Sequence, residues 1–433
     1  MSNENLRKLI GCIDNSPTAF HAVATAEEIL LQNGFTRLDE TSTEALTAGG
    51  KYFITRNNSS IIAFTLPEST PTGLMICASH SDSPCFKVKP NAELETVGQY
   101  VRLNTERYGG MIMPSWFDRP LSLAGRIAVE TENGIETRLV NIERDLLVIP
   151  NVAIHMSNTN NGYTYNAKTD MMPLMADINS HTKVVDLVAK ECGIEASKII
   201  GHDLFLYCRQ KGSVVGADDA FFLSPRIDNL ECAFTSLFGF LESKPSTAVP
   251  MFAVFDNEET GSQTKQGAAS DFLSLVIDRI LATFSASEQK AAFLANSFML
   301  SADNAHAMHP NHPELADNKN APRMNDGIVI KYNASQRYTT DGVSAALFKK
   351  ICQKENVPTQ VFANRSDMAG GSTLGSIATT KVSIKTVDIG LAQLAMHSAC
   401  EIAGVRDIEH MINACRVFFS TALVCENNQI SLK

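Results

Sequence analysis

The spacing of apolar residues near the N-terminus predicts two helices. Between about residues 5 and 32, apolar side chains recur every three or four positions, which is the period of a helix with one buried face. The dipeptide Ser16-Pro17 interrupts this pattern and divides it into two pieces. We therefore expect two consecutive helices at the start of the chain.

Strand-like segments follow these helices. Short apolar runs occupy residues 52–54, 60–64 and 74–78. The third run is apolar at every position, as expected for a strand that is covered on both faces. Similar runs return later in the chain, at residues 250–255, 297–301 and 382–387.

The pattern changes in the second quarter of the chain. Residues 90–222 contain short, irregular strands and an Asn-rich turn at 157–162, whereas helical patterns alternate with buried strands again after about residue 223. Such alternation is typical of an α/β sandwich. We predict an α/β fold in which residues 1–89 and 223–433 form one discontinuous domain with a mixed central sheet. Residues 90–222 form an inserted β-rich domain.

Composition and charge exclude several classes of protein. The chain has 433 residues, of which 44% are hydrophobic and 19% charged, as in soluble globular proteins of two domains. A formal net charge of -10 argues against a nucleic-acid groove or an anionic membrane surface as a partner. We expect neither nucleic acid nor membrane to bind.

The first residues and the cysteines indicate a compartment. The N-terminal segment has an early acidic residue and no sustained apolar core, so it does not read as a secretory signal. The ten cysteines are scattered and form no Cys-x-x-Cys motif, which is typical of a reducing compartment. The sequence therefore predicts a cytoplasmic protein.

Acidic residues and histidines follow several strand-like segments. Ligands gather beyond the carboxyl ends of strands in open α/β sheets, so we expect these side chains to converge. The candidates are His80, Asp82, Asp228, Glu258, Glu259, Asp303 and His397.

These residue types suit a pair of metal ions. Histidine and carboxylates are the expected ligands of catalytic zinc, and a nearby carboxylate such as Asp82 can orient a ligating imidazole such as His80. The adjacent Glu258 and Glu259 can divide two duties, one binding metal and the other acting as general base. Two divalent ions about 3.5–4 Å apart can activate a shared water and stabilise an oxyanion.

Six segments, spread over nearly the whole chain, carry these residues in a specific context. They are Ser79-His-Ser-Asp-Ser-Pro84, Arg226-Ile-Asp-Asn-Leu230, Asp256-Asn-Glu-Glu-Thr-Gly-Ser262, Ser301-Ala-Asp-Asn-Ala-His-Ala-Met-His-Pro-Asn311, Ser335-Gln-Arg-Tyr338 and Met396-His-Ser398. In sequence and in order, these segments resemble the M18 peptidase family, the aspartyl aminopeptidases.

The resemblance implies a cofactor and a set of ligands. Two zinc ions per subunit are expected, although other divalent ions fit the same donors. One zinc would be held by His80 and Asp303, the other by Glu259 and His397, with Asp228 bridging both.

The resemblance also implies catalytic roles and an assembly. Glu258 would be the general base, and Asp82 would orient His80. The activity would be removal of the N-terminal residue from peptide substrates, with a preference for Asp or Glu. The family fold is a peptidase α/β domain interrupted by a β-rich domain that helps to build a large homo-oligomer, usually a dodecamer.

Three further residues match substrate-side positions of the family. Lys331 and Arg337 are candidates to bind an acidic side chain. His155 is either a metal-linked residue or a substrate contact supplied to a neighbouring subunit. One turn, at residues 367–373, departs from the family's Pro-Cys-Gly type, so the acidic preference has less support than peptidase activity.

Two other functions remain open from the residues alone. The first is a two-metal deacylase or amidohydrolase of the same fold, and the second is a non-enzymatic assembly or cargo protein. The presence of Glu258 beside the five candidate ligands argues against a scaffold, which has no need of an acidic base.

Overall fold

The computed structural model describes residues 2–156, 162–427 and 429–433. The Asn-rich turn expected at 157–162 lies outside these residues except for Gly162. The α-helices of the described chain are α1 (Ser2–Asp14), α2 (Ala19–Gln32), α3 (Ala167–Asp170), α4 (Val184–Cys192), α5 (Ile227–Leu241), α6 (Phe272–Thr283), α7 (Lys290–Ala295), α8 (Gly342–Gln353), α9 (Leu374–Ala378) and α10 (Val405–Phe419).

The strands fall into several sheets. They are β1 (Thr36–Leu38), β2 (Lys51–Arg56), β3 (Ser60–Thr65), β4 (Leu74–His80), β5 (Cys85–Thr96), β6 (Tyr100–Tyr108), β7 (Leu121–Thr131), β8 (Gly134–Asn141), β9 (Leu174–Asp177), β10 (Ile199–Cys208), β11 (Ser213–Val215), β12 (Phe221–Ser224), β13 (Val249–Phe255), β14 (Phe298–Ala302), β15 (Ala305–His306), β16 (Ile328–Tyr332), β17 (Thr359–Ala363), β18 (Lys385–Gly390), β19 (Ala392–Leu394), β20 (Glu401–Gly404), β21 (Leu423–Glu426) and β22 (Gln429–Leu432).

The two predicted N-terminal helices are confirmed. They are α1 and α2, and the gap between them contains Ser16-Pro17. Their apolar positions, among them Leu9, Ile13 and Leu30, are buried in the core on one face of the large sheet.

A nine-stranded mixed sheet forms the centre of the fold. Its order is β1-β2-β3-β13-β4-β14-β18-β16-β17. The four central strands β13, β4, β14 and β18 are parallel to one another, whereas β3 and β16 on either side of them are antiparallel to their neighbours β13 and β18. Helices α1, α2, α5, α8 and α10 cover one face, while α6, α7 and α9 cover the other. The predicted α/β class with a mixed central sheet is confirmed.

Strand β4 shows why its sequence is apolar throughout. Met75 and Cys77 point into the core on one face of the sheet, whereas Ile76 and Ala78 point into the core on the other. Because both faces are covered by helices, every position of the strand needs an apolar side chain.

A second sheet is built from the chain between β4 and β12. It is antiparallel, has the order β8-β7-β10-β5-β6-β9, and packs around its own apolar core, in which Trp116 lies edge-on to Phe86. This sheet begins at Cys85 and ends at Cys208. The next strands, β11 and β12, pair within a five-stranded sheet that also contains β20, β19 and β15. The division into domains at residues 90 and 223 stays a prediction.

Among the described residues, no helix combines the length and the hydropathy that are needed to cross a bilayer.

Candidate metal centre

The candidate ligands come from loops at one edge of the central sheet. Strand β4 ends at His80, β13 leads into Glu258 and Glu259, and β14 is followed directly by Asp303. These three strands are parallel neighbours, so their carboxyl ends lie side by side. Asp228 lies in the first turn of α5, where its peptide bond to Asn229 is cis, and the turn between β19 and β20 adds His397.

The five predicted ligands lie within one cluster. His80 Nε2 is 3.5 Å from Asp228 Oδ1 and 3.6 Å from Asp303 Oδ1. His397 Nε2 is 3.4 Å from Asp228 Oδ2 and 3.4 Å from Glu259 Oε1. The two carboxylate oxygens of Asp228 thus face two different groups of donors, and both groups are compact enough to hold a metal ion.

The donor atoms fit a pair of zinc ions. Asp228 Oδ1 and Glu259 Oε1 are buried and accept no hydrogen bond within the described chain. Buried carboxylate oxygens without a partner are costly, and a divalent cation removes that cost. Imidazole and carboxylate donors are also the ligand types that zinc prefers.

Crowding of carboxylates changes the acidity of the cluster. Burial raises the pKa of Glu258 to about 8 and holds the pKa of Glu259 well above its usual range. Burial disfavours the charged form of His80, but the neighbouring carboxylates of Asp228, Asp303 and Asp82 outweigh it and raise the pKa of the imidazole. The cluster therefore retains protons at neutral pH when no cation balances it.

Asp82 connects the His80 strand with the turn that carries the two glutamates. Its Oδ1 accepts from the Glu258 amide at 3.1 Å and its Oδ2 from the Glu259 amide at 3.1 Å. Tyr108, at the end of β6, donates its hydroxyl to the same Oδ2 at 2.7 Å. The side chain also lies 3.4 Å from His80 Nδ1, although the main-chain oxygen of Asp82 is nearer at 3.1 Å.

A cavity of about 180 Å³ opens beside this cluster. Lys331 and Tyr338 line one part of it, and the loop of Gly371, Ser372 and Thr373 lines another. The remaining lining includes His80, Asp228, Glu258, Asp303, His306, Phe362 and His397. The cavity is therefore placed to receive the part of a substrate that lies next to the metal centre.

The three substrate-side candidates lie in different surroundings. Lys331 is only 2% exposed, lines the cavity, and donates its Nζ to the Asp303 carbonyl at 2.8 Å. Arg337 is exposed, is not among the lining residues, and donates to the Gly370 carbonyl at 2.7 Å. His155 is exposed in a short 3-10 helix and does not contribute to the described cavity wall.

Two buried carboxylates at the site escaped the sequence analysis. Glu401 accepts from the amides of Asp228 and His397, at 3.0 and 2.8 Å, and burial raises the pKa of Glu401 to about 8. Asp388 accepts from the hydroxyls of Thr339 and Thr373, which lie on two segments that border the cavity. Neither acid lies in a recognisable motif. Their only sequence signal is an acidic residue within or beside a strand-like apolar segment.

Comparison with known proteins identifies relatives over the whole chain. Residues 12–419 match the family described as aminopeptidase I zinc metalloprotease, M18. A protein named probable M18 family aminopeptidase 2, from Clostridium acetobutylicum, is 43% identical over 427 residues, which cover 96% of this chain and 99% of that protein.

Solved structures show the same fold. The chain superposes with a TM-score of 0.94 and 36% identity on a protein in the cryo-EM structure of the Ape4 and Nbr1 complex, covering 97% of this chain and 86% of that one. The mApe1 dodecamer of S. cerevisiae gives a TM-score of 0.85 at 27% identity, with 95% of each chain covered.

Proposed function

The chain belongs to the M18 family of zinc metallo-aminopeptidases, and from this premise we propose that it removes Asp or Glu from peptide N-termini with two zinc ions. The observation that carries the proposal is the position of Asp228, whose two oxygens face separate groups of donors. The family relationship favours this activity over a deacylase or a non-enzymatic assembly protein.

The proposed zinc ligands are the members of the two donor groups that share Asp228. His80 and Asp303 would hold one ion, Glu259 and His397 would hold the other, and Asp228 would contribute to both groups. When bound, a zinc pair supplies Lewis acidity toward the scissile carbonyl and the oxyanion that develops there. The three ligand carboxylates offset three of the four metal charges, and the remaining positive charge lies beside Glu258 and favours its ionised form.

We assign proton transfer to Glu258. Its side chain lines the cavity and belongs to neither donor group that shares Asp228, although it forms a third compact group with His80 and Glu259. Because the two groups around Asp228 are complete without Glu258, its carboxylate can act as a base. It takes a proton from the attacking water and returns it to the leaving amine. Asp82 fixes the main chain of Glu258 and thereby its reach into the cavity.

A substrate panel tests the activity directly. Peptides with free N-terminal amines and varied first residues are compared with the same peptides carrying an N-acetyl group. We expect stepwise release of the first residue from the free-amine series and fastest release of Asp and Glu. Hydrolysis of the acetyl group instead would establish a deacylase.

Selectivity for acidic residues is assigned to Lys331. Among the described residues that line the cavity it is the sole Lys or Arg, and a local cation is needed because the net charge of -10 repels acidic substrates at distance. Its ammonium has three donors, so the bonds to the Asp303 and Asn304 carbonyls, at 2.8 and 3.3 Å, leave one for a substrate carboxylate.

Lys331→Met should therefore lower kcat/KM for N-terminal Asp roughly 10–100-fold more than for Leu, since a hydrogen bond to a charged group contributes about 1.5–3 kcal/mol. Part of the loss falls on every substrate because Lys331 also contacts Asp303. The ratio of the two kcat/KM values is the readout. An unchanged ratio in this variant, with a lowered ratio in Arg337→Met, would transfer the role to Arg337.

The pH dependence of zinc binding follows from the raised pKa values. Without metal, Glu258 and Glu259 hold protons at neutral pH, and zinc favours their ionised forms. Zinc binding therefore releases protons, and affinity rises as the pH increases through about 8. Calorimetry at pH 7 in two buffers of different ionisation enthalpy measures the release. Equal heats in both buffers would contradict the expected protonation of the free site.

We further propose that the protein assembles into a homo-oligomer of the dodecameric kind through the β-rich insert, residues 90–222. This is supported by the relative whose structure is a dodecamer. A second support is the exposure of Val152, Ile154 and Met156, at 56%, 62% and 80%, because neighbouring exposed apolar residues mark interaction sites.

A cytoplasmic location fits the ten cysteines, all of which are free thiols.

His155 lies within this apolar segment and is assigned to the active site of a neighbouring subunit. There its imidazole can donate to the substrate or to the oxyanion. We expect His155→Ala and Glu258→Gln each to be inactive alone. Mixed under conditions that exchange subunits, the two variants should regain activity, because some neighbouring pairs contain one complete site. A mixture that stays inactive after exchange is verified would place His155 in the site of its own chain.

A further inference from the structure

Glu401 lies directly behind the proposed metal centre and touches two of its members through their main chains. Its Oε2 accepts from the Asp228 amide at 3.0 Å, and its Oε1 accepts from the His397 amide at 2.8 Å. The residue is 2% exposed, and Gln393 Nε2 lies 3.4 Å from the same Oε1. One buried carboxylate therefore connects the first turn of α5 with the turn between β19 and β20.

This connection joins the two segments directly, whereas their other main-chain contacts reach third segments: the Asp228 carbonyl accepts from Ser83 Oγ at 2.7 Å and the His397 carbonyl from the Ile112 amide at 3.0 Å. His397 has φ of +67°, a left-handed conformation that residues other than glycine rarely adopt. The bond from its amide to Glu401 stabilises that conformation, which directs His397 Nε2 to within 3.4 Å of Asp228 Oδ2. Without the hydrogen bond between the His397 amide and Glu401, the turn could relax, and His397 would move away from Asp228.

We propose that Glu401 is a positioning residue of the metal centre, which holds Asp228 and His397 at the spacing that the second zinc requires before the ion arrives. The proposal rests on the zinc ligands proposed above. Glu401 is not among the residues that line the cavity, and its described hydrogen bonds to Asp228 and His397 reach their main-chain amides, so it acts through the main chain of the two ligands.

Asp407 provides a matched control at a distance from the cluster. It is fully buried, and its carboxylate also accepts from two backbone amides, those of Asn325 and Gly327, while His410 Nδ1 lies 3.1 Å from its Oδ1. The segment that it holds contains no proposed ligand. Asp407→Asn therefore reproduces the loss of a buried carboxylate with two amide partners, without touching Asp228 or His397.

The test compares zinc affinity and stability in parallel. In Glu401→Gln the side-chain amide has one oxygen and one NH2 group, so one of the two main-chain amides faces a donor. Zinc affinity is measured by competition with a chromophoric chelator, and stability of the metal-free protein by urea unfolding. We expect Glu401→Gln to bind one of its two zinc ions roughly 10–100-fold more weakly, as found when outer partners of metal ligands are lost. Asp407→Asn should lose stability but keep its zinc affinity.

Spectroscopy separates positioning from general damage. The visible absorption of the Co²⁺-substituted protein reports coordination geometry, so it should change in Glu401→Gln and stay constant in Asp407→Asn. If Glu401→Gln does not fold, Glu401→Asp replaces it, because the shorter side chain keeps the charge but cannot span both amides. Wild-type zinc affinity and an unchanged Co²⁺ spectrum in the variant that folds would overturn the proposal. A wild-type protein that binds no zinc would instead refute the ligand set itself.

Discussion

Replacing Glu258 with Gln lowers kcat by roughly 10²–10⁴-fold, the usual contribution of a positioned general base, while zinc content stays at the wild-type level. The amide keeps the size and shape of the side chain but cannot take a proton from water. Metal content is retained because both donor groups that share Asp228 are complete without Glu258. The measurement is kcat on an Asp peptide together with zinc per chain by elemental analysis.

An exposed glutamate supplies the control for this substitution. Glu288 lies in the short 3-10 helix Ser287–Gln289, outside the cluster, and Glu288→Gln removes the same charge from the chain. It should retain wild-type turnover. If fully zinc-loaded Glu258→Gln also retains wild-type turnover, the assignment of the base is wrong.

Removal of a ligand is the second change with a large expected effect. Glu259→Ala leaves His397 and one oxygen of Asp228 as the remaining donors of their group. The affinity of that zinc should fall by more than the roughly 10–100-fold that loss of an outer partner costs. After dialysis at limiting zinc, the variant should therefore hold about one ion per chain instead of two, and peptidase activity should fall with it.

The other ligands extend the same experiment. His80→Ala and His397→Ala remove donors from opposite sides of Asp228, so each should reduce zinc content through a different group. Glu288→Ala serves as the control, because it is dialysed in the same way and should keep the wild-type zinc content. Two zinc ions per chain in all three ligand variants would show that the metals bind elsewhere.

The sequence predicted those features that a local pattern encodes. The period of apolar residues identified α1 and α2, and the unbroken apolar run identified β4 as a strand covered on both faces. The convergence of His80, Glu259 and Asp303 followed from a rule of α/β sheets, because each residue comes after a strand and neighbouring parallel strands end at one edge.

Contacts between segments that are distant in the chain could not be predicted from the sequence. Glu401 is four residues from His397, but its bond to the Asp228 amide depends on how β20 packs beside α5. The pairing of Asp388 with Thr339 and Thr373 likewise arises only when two loops meet over β18. In each case the partner is a backbone amide or a hydroxyl, groups that occur throughout any sequence and therefore leave no distinctive pattern.

The sequence identified Lys331 as a candidate residue but did not predict its contact with Asp303. The family motif marked it as a candidate for binding an acidic substrate, and the structure adds that its Nζ donates to the Asp303 carbonyl. The ammonium that we propose to bind the substrate carboxylate therefore also holds the main chain of a proposed metal ligand. This contact explains why Lys331→Met is expected to lower activity on all substrates as well as to change the preference among them.

The most direct test of the central claim is a zinc titration of activity. Protein stripped of metal with a chelator is titrated with zinc at fixed pH, and release of Asp from a free-amine peptide is measured at each step. The proposed centre predicts that activity is absent without zinc and reaches its plateau at two equivalents per chain. Full activity in the stripped protein, or a plateau at one equivalent, would contradict a two-zinc aminopeptidase.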